Sequence, residues 1–194
     1  MRAPIISPEL RAAYLLVLGP PALIAPLPLF WTRGASGLAI ALYEIALILL
    51  FLRARAGAPV RLSNTVLNTI GLSYFFWLGV EWAVLRPGLL RVVSHLLLFT
   101  AIAKLASLKR PSEARTALLV IFLTVLAAVS SSTHVVSLLY CAVMGVLAFR
   151  TLARLAVLAD FEDGPPLRVL TAIPTPGLSA MAILAGTLLG VPLF

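Results

Sequence analysis

The chain has 194 residues, of which 61% are hydrophobic and 11% are charged, whereas a soluble domain of this size is roughly 45–50% apolar and about 25% charged. That excess leaves no water-facing shell. It excludes a soluble enzyme, a disordered tail and a disulfide scaffold, and it predicts a polytopic membrane protein. The 15 Lys+Arg against 7 Asp+Glu give a net charge of +8, a sign of nucleic-acid binding only where the cations form one patch.

A membrane span needs about 20 largely apolar residues to cross roughly 30 Å of hydrocarbon. Seven segments qualify: residues 14–31, 37–52, 67–85, 89–108, 114–131, 135–157 and 170–194. The expected fold is therefore all-α, a single membrane domain of seven helices with short loops. The first segment is interrupted by Gly19-Pro20-Pro21, Pro26 and Pro28. Proline removes a helix donor and clashes one turn back, so this segment reads as a kinked span or as two half-helices. Asn64 and Asn68, one turn apart at the start of the third segment, suit capping and interhelical hydrogen bonding. Pro111 in the 107–115 loop (SLKRPSEAR) marks the sharpest boundary, and the 130–134 turn (SSSTH) folds the fifth and sixth segments into a hairpin. The acidic turn 160–166 (DFEDGPP) follows, beside Arg150, Arg154 and Arg168, which it neutralises. The last segment runs apolar to Phe194 with no polar anchor of its own, and so reads as continuing outside the membrane.

Orientation follows from the cations. Summed on alternate sides of seven spans, 12 fall on the side of Arg2, Arg11, Arg53, Arg55 and Lys104 and 3 on the other. The positive-inside rule places the N-terminus in the cytoplasm and the C-terminus outside. The charge is thus a topology signal, with some capacity to hold anionic lipid headgroups. Cations divided among four loops make no nucleic-acid patch.

Ionisable residues inside a bilayer are costly and are functional candidates by default. Glu44 lies about 10 Å from the outer end of the second segment and His95 about 9 Å from the outer end of the fourth, at the helical rise. Their matching depth predicts a Glu44–His95 hydrogen bond or ion pair. Glu81, near the outer end of the third segment, has Arg86 and Arg91 within reach, and Arg91 and His95 are one helical turn apart. Glu44, Glu81, Arg91 and His95 together form a candidate outward-facing polar cluster, either locking helices or relaying protons or substrate. Trp31, Trp77 and Trp82 suit an outer aromatic belt. Lys104 snorkels towards the inner headgroups. Cys141, alone in the sixth segment, is a packing residue. No catalytic triad, metal-ligand spacing or phosphate-binding glycine loop is present. The chain by itself carries no catalytic residues, and no cofactor or metal is expected.

The stretch from His95 reads HLLLFTAIAKLASLKRPSEARTALLVIFLTVLAAVSSSTHVVSLLYCAVMGVLAFRTLARL. It resembles the N-terminal membrane domain of TgpA-type bacterial membrane transglutaminases. There a membrane helix ends in a His-Leu-Leu-Leu … Lys-Leu … Lys-Arg pattern, a charged pair opens the next helix, a small-residue outer turn follows, and a long helix runs to basic residues. His95, Lys104, Lys109 and Arg110 occupy those positions. The closest match covers about a third of the chain, and the order of spans extends it over most of the rest. One departure is clear: the family usually has Arg-Asp after the Lys-Arg loop, where this chain has Pro111-Ser112-Glu113-Ala114. The resemblance implies a bacterial inner-membrane location and an extracytoplasmic transglutaminase-like domain with a Cys-His-Asp triad in the same polypeptide. None of that domain lies in these residues, and Cys141, within the bilayer, is not its nucleophile. The chain thus looks like the anchoring module of such a protein, or a stand-alone relative. The reading set against it is a small transporter or channel subunit that uses the outward-facing polar cluster.

Overall fold

The structure is a computed structural model that describes residues 6–159 except 33, 61, 87, 131 and 133–135. Among the described residues every regular element is an α-helix: α1 (Pro8–Ile24), α2 (Leu27–Trp31), α3 (Gly37–Arg55), α4 (Asn64–Leu85), α5 (Leu89–Ala106), α6 (Pro111–Ser130) and α7 (Val136–Ala159). Five stretches among the described residues are long and apolar enough to cross a membrane: Pro8–Phe30, Gly37–Arg55, Leu89–Ala106, Pro111–Ser130 and Val136–Ala159. The sequence predicts seven. The expected span 67–85 is the helix α4, but Asn64, Asn68 and Glu81 dilute its apolar character and it is not one of the five. The expected span 170–194 and the acidic turn 160–166 lie outside the described residues.

Local chemistry sets the helix starts. Ser7, Ser36 and Ser63 each turn their hydroxyl onto the backbone N–H three residues on, at 3.2 Å. This satisfies one of the donors that a helix N-terminus leaves open. The cap of α4 is therefore Ser63, and Asn64 is the first residue inside the helix. The helix α6 opens with Pro111, and Glu113 closes its first turn by accepting the Lys109 N–H at 2.6 Å.

The most enclosed helix is α1, which packs against α3, α6 and α7. Leu10, Ala13, Leu18 and Ala22 are buried on it. At the α1–α3 crossing the Phe51 ring occupies the space that a side chain at Gly19 would take. The break between α1 and α2 is stabilised in a specific way. A helical proline lacks the N–H that would reach the carbonyl four residues back, so Pro26 releases Ala22 C=O and Pro28 releases Ile24 C=O. The Leu29 N–H turns to Pro26 C=O at 2.9 Å, which leaves Ala25 C=O open as well, and two distant tyrosines supply donors. Tyr43 Oη donates to Ala22 C=O at 2.9 Å, and Tyr140 Oη to Ala25 C=O at 2.7 Å and Ile24 C=O at 3.4 Å. Interior helix breaks in a bilayer need such replacement donors. The first segment is thus one apolar stretch made of two helices.

Contacts between elements fix the up-and-down arrangement. Arg11, buried in the first turn of α1, donates through Nη2 to Ala106 C=O at 2.6 Å, at the C-terminus of α5. A cation there also meets the negative end of the helix dipole. The Ile6 N–H donates to Lys109 C=O at 3.1 Å. The start of α1 therefore shares one end of the bundle with the α5–α6 loop. Tyr140 near the start of α7 meets the end of α1 at the opposite end. Alternation then gathers Arg53, Arg55, Lys104, Lys109, Arg110 and Arg115 towards the first end, and leaves Glu81, Arg86 and Arg91 at the second. The peripheral helix α4 packs mainly along α5 and exposes Leu72, Phe75, Phe76, Trp77 and Trp82.

Candidate functional site

The site is built where α3, α4 and α5 meet at the second end. Arg86, in a left-handed conformation (φ 45°, ψ 49°), ends α4, and Gly88 starts α5. This tight turn lays the two helices antiparallel. Deeper in the bundle Gly71 faces the Phe99 ring. Tyr74 stacks on Phe99 with ring centroids 4.7 Å apart and an interplanar angle of 16°, and its hydroxyl donates to His95 C=O at 3.0 Å. That register brings Glu81 of α4 level with Arg91 and His95 of α5.

His95 is the hub, its side chain 4% exposed and that of Glu81 9%. The Ser36 N–H donates to His95 Nε2 at 2.9 Å. A ring nitrogen that accepts carries no proton, so Nδ1 is the protonated nitrogen and donates to Glu81 Oε2 at 3.1 Å. Glu81 Oε1 lies 3.6 Å from Arg91 Nε, too long for a hydrogen bond but close enough for ionic attraction. Ser36 is at the same time the hydroxyl cap of α3. One histidine thus joins the N-terminus of α3 to a carboxylate of α4, and an arginine one turn back on α5 balances that carboxylate. Buried polar groups so paired avoid the desolvation cost of lone ones.

The structure brings together three of the four residues singled out in the sequence: Glu81, Arg91 and His95. The expected Glu44–His95 pair does not form. Both His95 ring nitrogens are occupied, by Ser36 and by Glu81, so equal depth on neighbouring helices was not sufficient. Glu44 instead keeps Oε1 buried without a hydrogen-bond partner in the described structure. Ser36 and Tyr74 escape sequence reasoning, because a backbone donor and a single hydroxyl carry no pattern. The signal available was the Ser36 cap itself, which fixes where an α3 backbone donor emerges.

Of the positions in the family-like pattern, only His95 lies in this cluster. Lys104 is half-buried in the last turn of α5. Lys109 contributes its backbone to Ile6 and Glu113. Arg110 is exposed, and its carbonyl accepts the Glu113 N–H at 3.0 Å. Cys141 is half-buried in α7. Among the described residues no three His, Cys, Asp or Glu side chains come close enough together to hold a metal ion. Chemically, the Arg91–Glu81–His95–Ser36 chain can hold helices together and can accept a proton. The chain matches no family model, and no curated protein or solved structure matches it.

Proposed function

We propose that the chain is a non-catalytic membrane module with seven spans, its N-terminus in the cytoplasm and its C-terminus outside. It anchors an extracytoplasmic transglutaminase-like domain of the same polypeptide in a bacterial inner membrane. The observation that carries the anchoring role is where the interior polar groups go. Arg11, Tyr43, Tyr140, Tyr74 and His95 each bond a backbone group of another helix. They are used in holding helices together, as in a scaffold, and do not form a continuous polar path. The transglutaminase connection rests on the resemblance of the stretch from His95. Sequencing the gene past codon 194 tests it: a soluble domain with Cys, His and Asp in triad order is expected, and a stop codon there refutes it.

Glu44 favours a second reading, a small transporter or channel subunit with an outward-facing polar pocket. A buried carboxyl oxygen without a partner is the kind of group that a translocated proton or cation uses. On this reading Glu44→Gln abolishes flux in proteoliposomes while the fold is retained. On the scaffold reading the parent chain supports no flux for the substitution to remove.

A further inference from the structure

We propose that His95 is a proton-operated latch that seats the N-terminus of α3 on α5. The inference requires only the geometry of the site and holds whatever the module carries. The contact between α3 and His95 is a backbone N–H pointing at an imidazole lone pair, 2.9 Å from Ser36 N to Nε2. A second proton on the ring occupies that lone pair. Two donors then face each other, and the contact cannot exist.

The remaining groups around the ring decide what replaces it. From α4 comes Glu81, at 3.1 Å from Nδ1, while Tyr74 meets only the His95 carbonyl and Arg86 sits at the turn. From α5 comes Arg91, paired to Glu81. From α3 come the Ser36 N–H and the partial positive charge of a helix N-terminus. The outer half of α6, residues 121–130, has no titratable side chain. An imidazolium is therefore attracted by Glu81 and repelled by Arg91 and by the start of α3. Protonation moves the loyalty of His95 from α3 to α4: the α4–α5 hairpin tightens and the segment at Ala35 and Ser36 is released. Histidine is the side chain whose charge ordinarily changes between about pH 5 and pH 8. The cation asymmetry puts this end outside the cell, where ambient pH varies.

The test uses the purified full chain in detergent with Cys141→Ala, and a single cysteine at Ala35 or Ala58. Ala35 is 6% exposed, beside the latch, and Ala58 lies in the exposed α3–α4 loop. Taking the ratio of the two maleimide labelling rates removes the common pH dependence of thiol chemistry. The ratio is expected to rise about five-fold or more from about pH 8 to about pH 5. The rise should disappear in His95→Gln, whose amide accepts from Ser36 at every pH. Glu81→Gln, which deprives the imidazolium of its counter-ion, should move the rise to more acidic pH. A ratio that stays flat with His95 present overturns the proposal, as does a rise that survives His95→Gln. Should that variant not fold, a rise whose midpoint ignores Glu81→Gln overturns it equally.

Discussion

Tyr43→Phe isolates one hydrogen bond whose necessity is written into the sequence. Pro26 has no N–H for Ala22 C=O, and the Tyr43 hydroxyl reaches it from α3 at 2.9 Å. The Tyr43 side chain is buried, with 4% of the residue exposed, so no water takes the place of the lost donor. Leaving a buried acceptor unsatisfied costs about 1–3 kcal/mol in soluble proteins, while interhelical bonds in membranes average about 0.6 and reach about 1.7 kcal/mol. The expected loss is thus about 1 kcal/mol, measured as the shift in a detergent-unfolding equilibrium. Pro26→Ala supplies the missing backbone N–H to the same carbonyl, since residue 26 already has helical angles (φ −84°, ψ −9°). In that background Tyr43→Phe should cost close to nothing. Tyr14→Phe is the control, because the Tyr14 hydroxyl is buried without a hydrogen-bond partner, and its removal should be neutral or stabilising. Equal costs for Tyr43→Phe in both backgrounds would refute the idea that the tyrosine stands in for the proline.

Further outcomes are expected from the same unfolding measurement. Gly19→Ala forces the Phe51 ring out of the α1–α3 crossing and should cost about 1–3 kcal/mol; combined with Phe51→Ala it should cost less than the sum. Arg11→Met removes a buried charge-assisted bond to the α5 C-terminus, worth about 1.5–3 kcal/mol, and a fully neutral effect would contradict the clamp. Glu44→Gln removes no hydrogen bond and should be neutral or stabilising. Glu81→Gln, which takes away the counter-ion of Arg91 and leaves His95 a neutral amide acceptor, should destabilise.

What could be read in the sequence was set by chemistry local along the chain. Apolar runs place α3, α5, α6 and α7 within a few residues, because the segments 37–52, 89–108, 114–131 and 135–157 are bounded by loops with polar, glycine or proline residues. The apolar run begins at residue 14, six residues after the start of α1 at Pro8. Glu9 and Arg11 look like loop, yet Ser7-Pro8-Glu9 is a cap, a first-turn proline and a first-turn acid, and Arg11 is buried by its bond to α5. Helix α4 was legible as a helix, but its Asn and Glu content blurs its character as a span. In the polar cluster Glu81, Arg91 and His95 are legible, because Arg91 and His95 are one turn apart on one helix and Glu81 has Arg91 within reach. Depth does not give rotation about the helix axis, and so the Glu44–His95 pair that equal depth suggests does not form. The tyrosine bridges follow from Pro26 and Pro28 once the structure is seen. The prolines announce that Ala22 and Ile24 C=O lack donors, but Tyr43 reaches Ala22 from 21 positions away, and Tyr140 bonds chiefly the neighbouring Ala25 C=O, 115 positions away.

A cysteine accessibility experiment in intact cells tests the arrangement most directly. With Cys141→Ala, single cysteines at Ala58, Gly88 and Ser112 sample the α3–α4, α4–α5 and α5–α6 connections, all exposed. If α4 crosses the membrane beside α5 with the basic end inside, an impermeant maleimide labels the cysteine at Gly88 in intact cells. The cysteines at Ala58 and Ser112 then react only after permeabilisation. Labelling of Ala58 and Gly88 from the same side would contradict a crossing by α4, and labelling of Ala58 and Ser112 alone in intact cells would contradict the orientation.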